Sequence, residues 1–415
     1  MEYTPMNVEE IKAVLKEQRE EAIDLASNKR IISRDVPDLL SLLSIPNVLT
    51  ILGVRRSGKS TLSLLLLKGK DFAYVNFDDE RFRGFKELSK LEEAIYSLYG
   101  NVRYLLFDEI QNVEGWEPFI SRLRREGKRV VITGSNSKLL SGELSTSLTG
   151  RHVDYVLFPF SFKEYLRFNG IKVQDVLTTK EKALIKNLLE KYLEEGGFPE
   201  VLMLKSRMMI NSIYNDILFK DVVSRLKIRR VERFKDFASA VISLYSSEVS
   251  LNRLANIVKV DYKTADEWFS GIIESYLIYT VKRYSVKVSS LGENKKVYIV
   301  DPGIIQEVVV KKDKGRLIEN TVAIHLLRKN QLKGVYYVKG EDYEVDFYDE
   351  QSGELIQVTL DGEIKDREIR GLVKASSSLG VQKLKIVTWD NEEEIEVEGK
   401  KIKIKPLWKF LLQIE

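Results

Sequence analysis

Residues 47–61 read NVLTILGVRRSGKST. An apolar run, Val48, Leu49, Ile51 and Leu52, breaks at Gly53 into a loop that closes with Gly58, Lys59, Ser60 and Thr61. The pattern is G-x-x-x-x-G-K-[ST], and each fixed position has a mechanical reason. Gly53 and Gly58 let the backbone wrap with its N–H groups turned inward, while the following helix points its positive end at bound phosphate. Lys59 is placed to reach the β and γ oxygens, and Ser60 is the candidate Mg2+ ligand. Arg55, Arg56, Ser57 and Thr61 complete the set of residues expected to line the nucleotide. The flanks argue against a chance match. The run before Gly53 reads as a buried parallel strand, and Thr61 to Leu67 begins an apolar-faced helix, which is the setting this loop requires.

Downstream, FAYVNF (Phe72 to Phe77) reads as a second strand ending in Asp78, Asp79 and Glu80. Acids there either approach Mg2+ or cap a turn, and the turn is the simpler reading. VRYLLFDE (Val102 to Glu109) runs four apolar residues straight into two carboxylates, 49 residues after Lys59. This is the Walker B pattern: a buried strand delivers its acids to the sheet edge, where Asp108 can hold Mg2+ and Glu109 can polarise the attacking water. Arg129 to Thr133 forms another short β-branched strand leading into Gly134, Ser135, Asn136 and Ser137. Ser135 or Asn136 is the candidate sensor between those acids and the γ-phosphate, unless the segment is a plain turn. Arg151 precedes a fifth strand, Val153 to Phe158. It either stabilises transition-state charge, in its own subunit or across an interface, or is a surface arginine. Upstream, an amphipathic helix (Val8, Ile11, Val14, Leu15, Ile23 and Leu25) is expected to pack on this nucleotide unit.

The chain has 415 residues, too many for one core, and it is 31% charged and 44% hydrophobic. No apolar run approaches the ~18 residues of a spanning helix. The N-terminus mixes both charge signs and has no signal-peptide core, so the expectation is a cytoplasmic protein with no membrane association. There is no cysteine, which removes disulfides, thiolate metal sites, iron–sulfur clusters and cysteine nucleophiles together. Only His152 and His325 could supply imidazole. Net charge is +4, from 66 basic and 62 acidic residues, so any nucleic-acid affinity must come from local patches.

One such patch is Lys220 to Lys235, KDVVSRLKIRRVERFK, with Arg225, Lys227, Arg229, Arg230 and Arg233. It is a solvated helix face, a phosphate-binding stripe, or the source of an intersubunit arginine such as Arg225. The following segment suggests a helix-turn-helix with a wing. Leu251, Leu254, Ile257 and Val258 form one apolar face, Val260 to Tyr262 the turn, and Thr264 to Ile273 the recognition-type helix. Lys263, Lys282, Arg283 and Lys287 are placed to meet phosphates, although such modules also bind proteins.

The ordered motifs GVRRSGKST, YVNFDDERF, LLFDEIQ, ITGSNS, LTGR with PFSFKEY, GGFPEV and VYIVDPGI resemble those of archaeal and bacterial AAA+ ATPases. The C-terminal domain of that family is of unknown function and has a nuclease-like fold. The resemblance covers nearly the whole chain. It implies that Lys59, Ser60, Asp108, Glu109, Asn136 and Arg151 carry nucleotide chemistry, with ATP and Mg2+ as cofactors. The expected fold class is α/β: a parallel P-loop sheet (1–165), a helical lid (166–235), a winged-helix-like domain (236–300) and a second α/β domain (301–415).

That last domain resembles the PD-(D/E)XK nucleases. There an aspartate opens one strand and E-x-K lies on the next, because two carboxylates hold Mg2+ and the lysine steadies hydroxide. Asp346 matches the first carboxylate and Glu319 the helical acid. Where Glu-x-Lys is expected, the chain has Gln357, Val358 and Thr359, which lack both the charge for metal and the ammonium. Lys365 is a candidate replacement for the lysine, but nuclease activity is not expected. Two outputs of ATP hydrolysis remain open: remodelling of single-stranded, duplex or branched DNA, as a ring-forming homo-oligomer if Arg151 acts in trans, or a nucleotide-gated switch that binds a protein partner.

Overall fold

Val48–Leu52 (β1), Phe72–Asn76 (β2), Tyr104–Asp108 (β3), Arg129–Gly134 (β4) and His152–Val156 (β5) form one sheet, in the order β2-β3-β4-β1-β5. All neighbours are parallel. Every residue of β1 and β4 is buried, as expected of strands covered on both faces. In a parallel sheet all carboxyl ends share one edge, so the loops after β1, β3 and β4 converge there. The computed structural model describes residues 5–27, 30–137, 152–174, 176–285, 295–360 and 364–414. Arg151 and Lys287 lie outside them.

The chain forms two compact units, Met1–Leu157 and Phe158–Glu415. In the first, the helix Val8–Ser27 (α1) buries Ile11, Val14, Leu15, Gln18 and Ala22. Gln18 ties it to the sheet by donating to the Asn76 carbonyl and accepting from the Asn76 amide. Ile23 and Leu25, expected on the packed face, are exposed instead, because Gln18 and Ala22 continue the i, i+4 stripe set by Ile11 and Val14. At the end of β2, Asp79 caps a turn by accepting from the Arg81 amide, which is the structural role preferred for those acids.

The second unit begins with helices, among them Phe162–Phe168, Thr179–Glu195, Pro199–Leu204 and Met208–Asp216, the last running into a π-helical stretch, Ile217–Val223. Three helices follow, Val231–Ser243, Leu251–Val258 and Tyr262–Glu274. The turn, Lys259 to Asp261, comes one residue earlier than expected, because Asp261 caps the third helix by accepting from the Thr264 amide. Ala255 and not Ile257 completes the buried face of the middle helix, leaving Ile257 58% exposed.

The remaining strands are Ser247–Glu248 (β6), Ile278–Arg283 (β7), Lys295–Ile299 (β8), Val335–Lys339 (β9), Glu344–Asp349 (β10), Glu354–Val358 (β11), Lys383–Thr388 (β12), Glu393–Val397 (β13) and Lys400–Pro406 (β14). They make a single sheet in the order β13-β14-β12-β11-β10-β9-β7-β8-β6. Because β7 pairs with β9, hydrogen bonding is continuous across the boundary expected at residue 300. β9, β10 and β11 are an antiparallel run, after which the helix Asp366–Leu379 crosses over to β12, parallel to β11.

Candidate nucleotide site

The loop after β1 is built on backbone that side chains would obstruct. Gly53 has φ +143°, and a Cβ there would collide with the Leu157 carbonyl. Gly58, at φ 96°, caps the helix Lys59–Leu66 (α2) in the left-handed region that glycine tolerates. Ser57 is fully buried, and its Oγ is a buried atom without a hydrogen-bond partner among the described residues, as suits a loop shaped to receive an acceptor. Arg55 reaches Asp78 at 3.5 Å, Arg56 takes φ 62°, and Thr61 lies half-buried on α2.

Lys59, Asp108 and Glu109 are 4%, 3% and 8% exposed, far below the norm for charged residues. Lys59 Nζ lies 3.5 Å from Glu109 Oε1 and donates to the Val54 carbonyl at 3.2 Å. Asp108 accepts from Tyr74 OH at 3.1 Å, from Thr133 Oγ1 and from the Ser60 hydroxyl. Thr133 Oγ1 in turn accepts from the Glu109 amide at 3.0 Å, so a β4 side chain fixes the end of β3. Glu109 holds a left-handed backbone, φ 50° and ψ 48°, a conformation uncommon for a non-glycine residue and one that clusters at functional sites. Its Oε2 accepts from Gln111 Nε2 at 2.5 Å and from Ser135 Oγ at 3.2 Å.

The two acids are pushed in opposite directions. Burial, and then the Glu109 charge, raise the pKa of Asp108 above the usual carboxylate range. Burial also opposes the charge of Glu109, but Lys59, Arg55, Gln111 and Ser135 outweigh it and hold its pKa below the usual value. Glu109 is thus a buried, ionised acceptor. Asp108, costly to ionise alone, is a carboxylate whose charge a cation would stabilise.

The structure therefore brings together Lys59, Ser60, Asp108, Glu109 and Ser135. Of the two sensor candidates, Ser135 touches Glu109, while Asn136 follows it half-buried at the same edge. Sequence reasoning missed Tyr74, Thr133 and Gln111. Tyr74 and Thr133 stand 34 and 25 residues from the Asp108 they bond, a separation that carries no local pattern.

In the second unit, Arg225 pairs with Glu274 and donates to the carbonyls of Asp221 and Gly271, so its charge is balanced where it lies. Lys227, Arg229, Arg230, Arg233 and Lys263 are exposed. Arg233 donates to the Lys259 carbonyl and Arg283 to that of Lys339. Asp346 and Gln357 lie side by side on β10 and β11, with Gln357 Oε1 3.4 Å from the Asp346 amide. Thr359, just past β11, is buried and donates its amide to the Val387 carbonyl.

Residues 46–166 match the model of a family described as AAA domain, and residues 186–314 match a domain of unknown function. An uncharacterized protein of Methanocaldococcus jannaschii is 34% identical, covering 94% of this chain and 93% of its own. One of Haemophilus influenzae is 28% identical, covering 90% of this chain and 97% of its own. Among solved structures, a Walker-type ATPase of Pyrococcus abyssi aligns over 68% of this chain and 96% of its own, at 15% identity and a TM-score of 0.46.

Proposed function

From the premise that this chain belongs to the P-loop AAA+ ATPase family, we propose that it binds ATP with Mg2+ at residues Gly53–Thr61 and hydrolyses it. The observation that carries this reading is the meeting of Lys59, Asp108 and Glu109, all buried, beside a glycine loop at the carboxyl edge of a parallel sheet. Ser60 and Asp108 fit the cation, which would neutralise charge between the phosphates. Lys59 binds the β and γ oxygens. Phosphates draw its ammonium away from Glu109, freeing that carboxylate to orient water. Arg151 remains the proposed stabiliser of transition-state charge.

Lys59→Ala is expected to weaken ATP binding about 10- to 100-fold, the cost of one charge-assisted contact. Equilibrium titration with a fluorescent ATP analogue measures it. Unchanged affinity would remove Lys59 from the phosphate site.

We take the output to be nucleic-acid remodelling, through the winged-helix-like domain expected over 236–300 and the exposed Lys227, Arg229, Arg230 and Arg233. A second reading, a switch that binds protein, is favoured by one observation. The helix Tyr262–Glu274 and its cap expose Asp261, Asp266 and Glu267 against Lys263, a face that repels phosphate. ATP turnover measured with single-stranded, duplex and branched DNA at low and moderate salt separates them. Stimulation that fades with salt supports the remodeller, and indifference to every DNA supports the switch.

A further inference from the structure

The acids Glu319 and Asp346 meet a lysine that the nuclease-like motif does not supply. Lys296, on β8, is 4% exposed. Its Nζ lies 2.7 Å from Glu344 Oε1, 3.4 Å from Glu319 Oε1 and 3.7 Å from Asp346 Oδ1. Although β7 and β9 separate β8 from β10 in the sheet, the Tyr298 and Phe347 rings approach to 5.7 Å, so the sheet curls enough for Lys296 to reach across. The β9–β10 register shifts between Val345 and Tyr348, around Asp346, an irregularity that re-aims side chains.

In nucleases of this type a divalent cation is held between the strand acid and its partner carboxylates. Mg2+ needs oxygen ligands close to octahedral at about 2.0–2.1 Å. The donors here do not fit that demand. An ammonium already fills the space among Glu319, Glu344 and Asp346, and Gln357 brings no charge where the motif has its second strand acid. Asp346 Oδ2 is committed to the Val358 amide at 2.9 Å, and Glu319 Oε1 accepts from Tyr298 OH at 2.8 Å.

We propose that the Lys296 ammonium is the resident cation of this centre, standing where a divalent metal would be held, so that the centre keeps its carboxylates without metal and cleaves no phosphodiester. The electrostatics agree. Burial opposes the lysine charge, but Glu319, Asp346 and Glu344 outweigh it and raise its pKa, so it stays protonated at neutral pH. Burial, and then Asp346, raise the pKa of Glu319 well above the usual carboxylate range. The ammonium thus answers the negative charge gathered in this cluster, and one of its partners, Glu344, is 40% exposed to water.

The probe is Mn2+, bound to the full nucleotide-free chain and counted by electron paramagnetic resonance. Lys296→Gln is expected to bind one more Mn2+ per chain than the unsubstituted protein. Its thermal midpoint, lowered without metal, should rise when Mn2+ is added. Lys296→Arg, which keeps a cation in place, should gain no site. The unsubstituted chain and the double variant Glu319→Gln with Asp346→Asn should bind equal numbers of Mn2+, since neither acid holds metal while Lys296 is present. A folded Lys296→Gln that gains no Mn2+ overturns the proposal. So does a Mn2+ lost from the unsubstituted chain on the double substitution, or Mn2+-dependent DNA cleavage abolished by it. Should Lys296→Gln fail to fold, the comparison of the unsubstituted chain with the double variant decides alone. Counting metal without nucleotide keeps this result separate from the fate of the ATPase reading.

Discussion

Glu109→Gln is expected to slow ATP hydrolysis by about 10²- to 10⁴-fold, the range for loss of a positioned acid–base group, and to leave ATP binding intact. The substitution is nearly isosteric, so the left-handed backbone at φ 50° and the amide bond to Thr133 Oγ1 can persist. What changes is charge and acceptor capacity. Glu109 is ionised against the pull of burial because Lys59, Arg55, Gln111 and Ser135 stabilise it, and an amide cannot take a proton from water. Lys59 keeps its bond to the Val54 carbonyl, so the loop proposed to hold phosphate is not dismantled. Single-turnover hydrolysis, run beside an equilibrium binding titration, separates the two effects. A normal rate would mean that another group orients the water.

The cluster proposed to bind nucleotide was legible in the sequence because the residues it brings together sit at the ends of buried strands, where local pattern and chemistry coincide. Gly53 to Thr61 and Asp108 with Glu109 are contiguous in the chain, and a parallel sheet brings strand ends to one edge whatever lies between. Tyr74 and Thr133 were not legible, since an inward hydroxyl on a strand looks the same whether or not an acid lies opposite it. The second sheet shows the same limit more strongly. Asp346 and Gln357 could be matched to adjacent strands by spacing. Lys296 could not, because it lies 23 residues before Glu319 on a strand assigned to the preceding domain, and it reaches the acids only through curling of a sheet of nine strands. Likewise GGFPEV and VYIVDPGI were visible only as markers of a family, without a reason for their glycines.

That reason leads to a second large effect: Gly196→Ala is expected to destabilise the second unit by at least about 2 kcal/mol. Gly196 has φ +79°, and a Cβ there would collide with the Asp301 carboxylate. Asp301 is 1% exposed and accepts from the Gly197 amide at 2.6 Å and the Gly303 amide at 2.8 Å, joining the two motifs through one side chain. Gly303 is constrained too, since its Cβ would stand 2.7 Å from the Glu195 carbonyl. Burial raises the pKa of Asp301 from 3.8 to about 7, with the two amides and Arg328 offsetting only part of the rise. The sign follows from linkage. Between these values the folded state holds a proton that the unfolded state has released, so the contribution is fully present below about pH 4 and is lost as pH rises through about 7. The loss amounts to about 4 kcal/mol. Asp301→Asn should abolish this slope, at a cost in acid of about 1–3 kcal/mol, because its NH2 faces an amide that the carboxyl had satisfied. Denaturant unfolding of both proteins from pH 4 to 8 tests the assignment. Curves that converge with rising pH and then cross, leaving Asp301→Asn the more stable by about 1–3 kcal/mol near pH 8, are the expected result, and parallel curves would place the titration of Asp301 at its ordinary value.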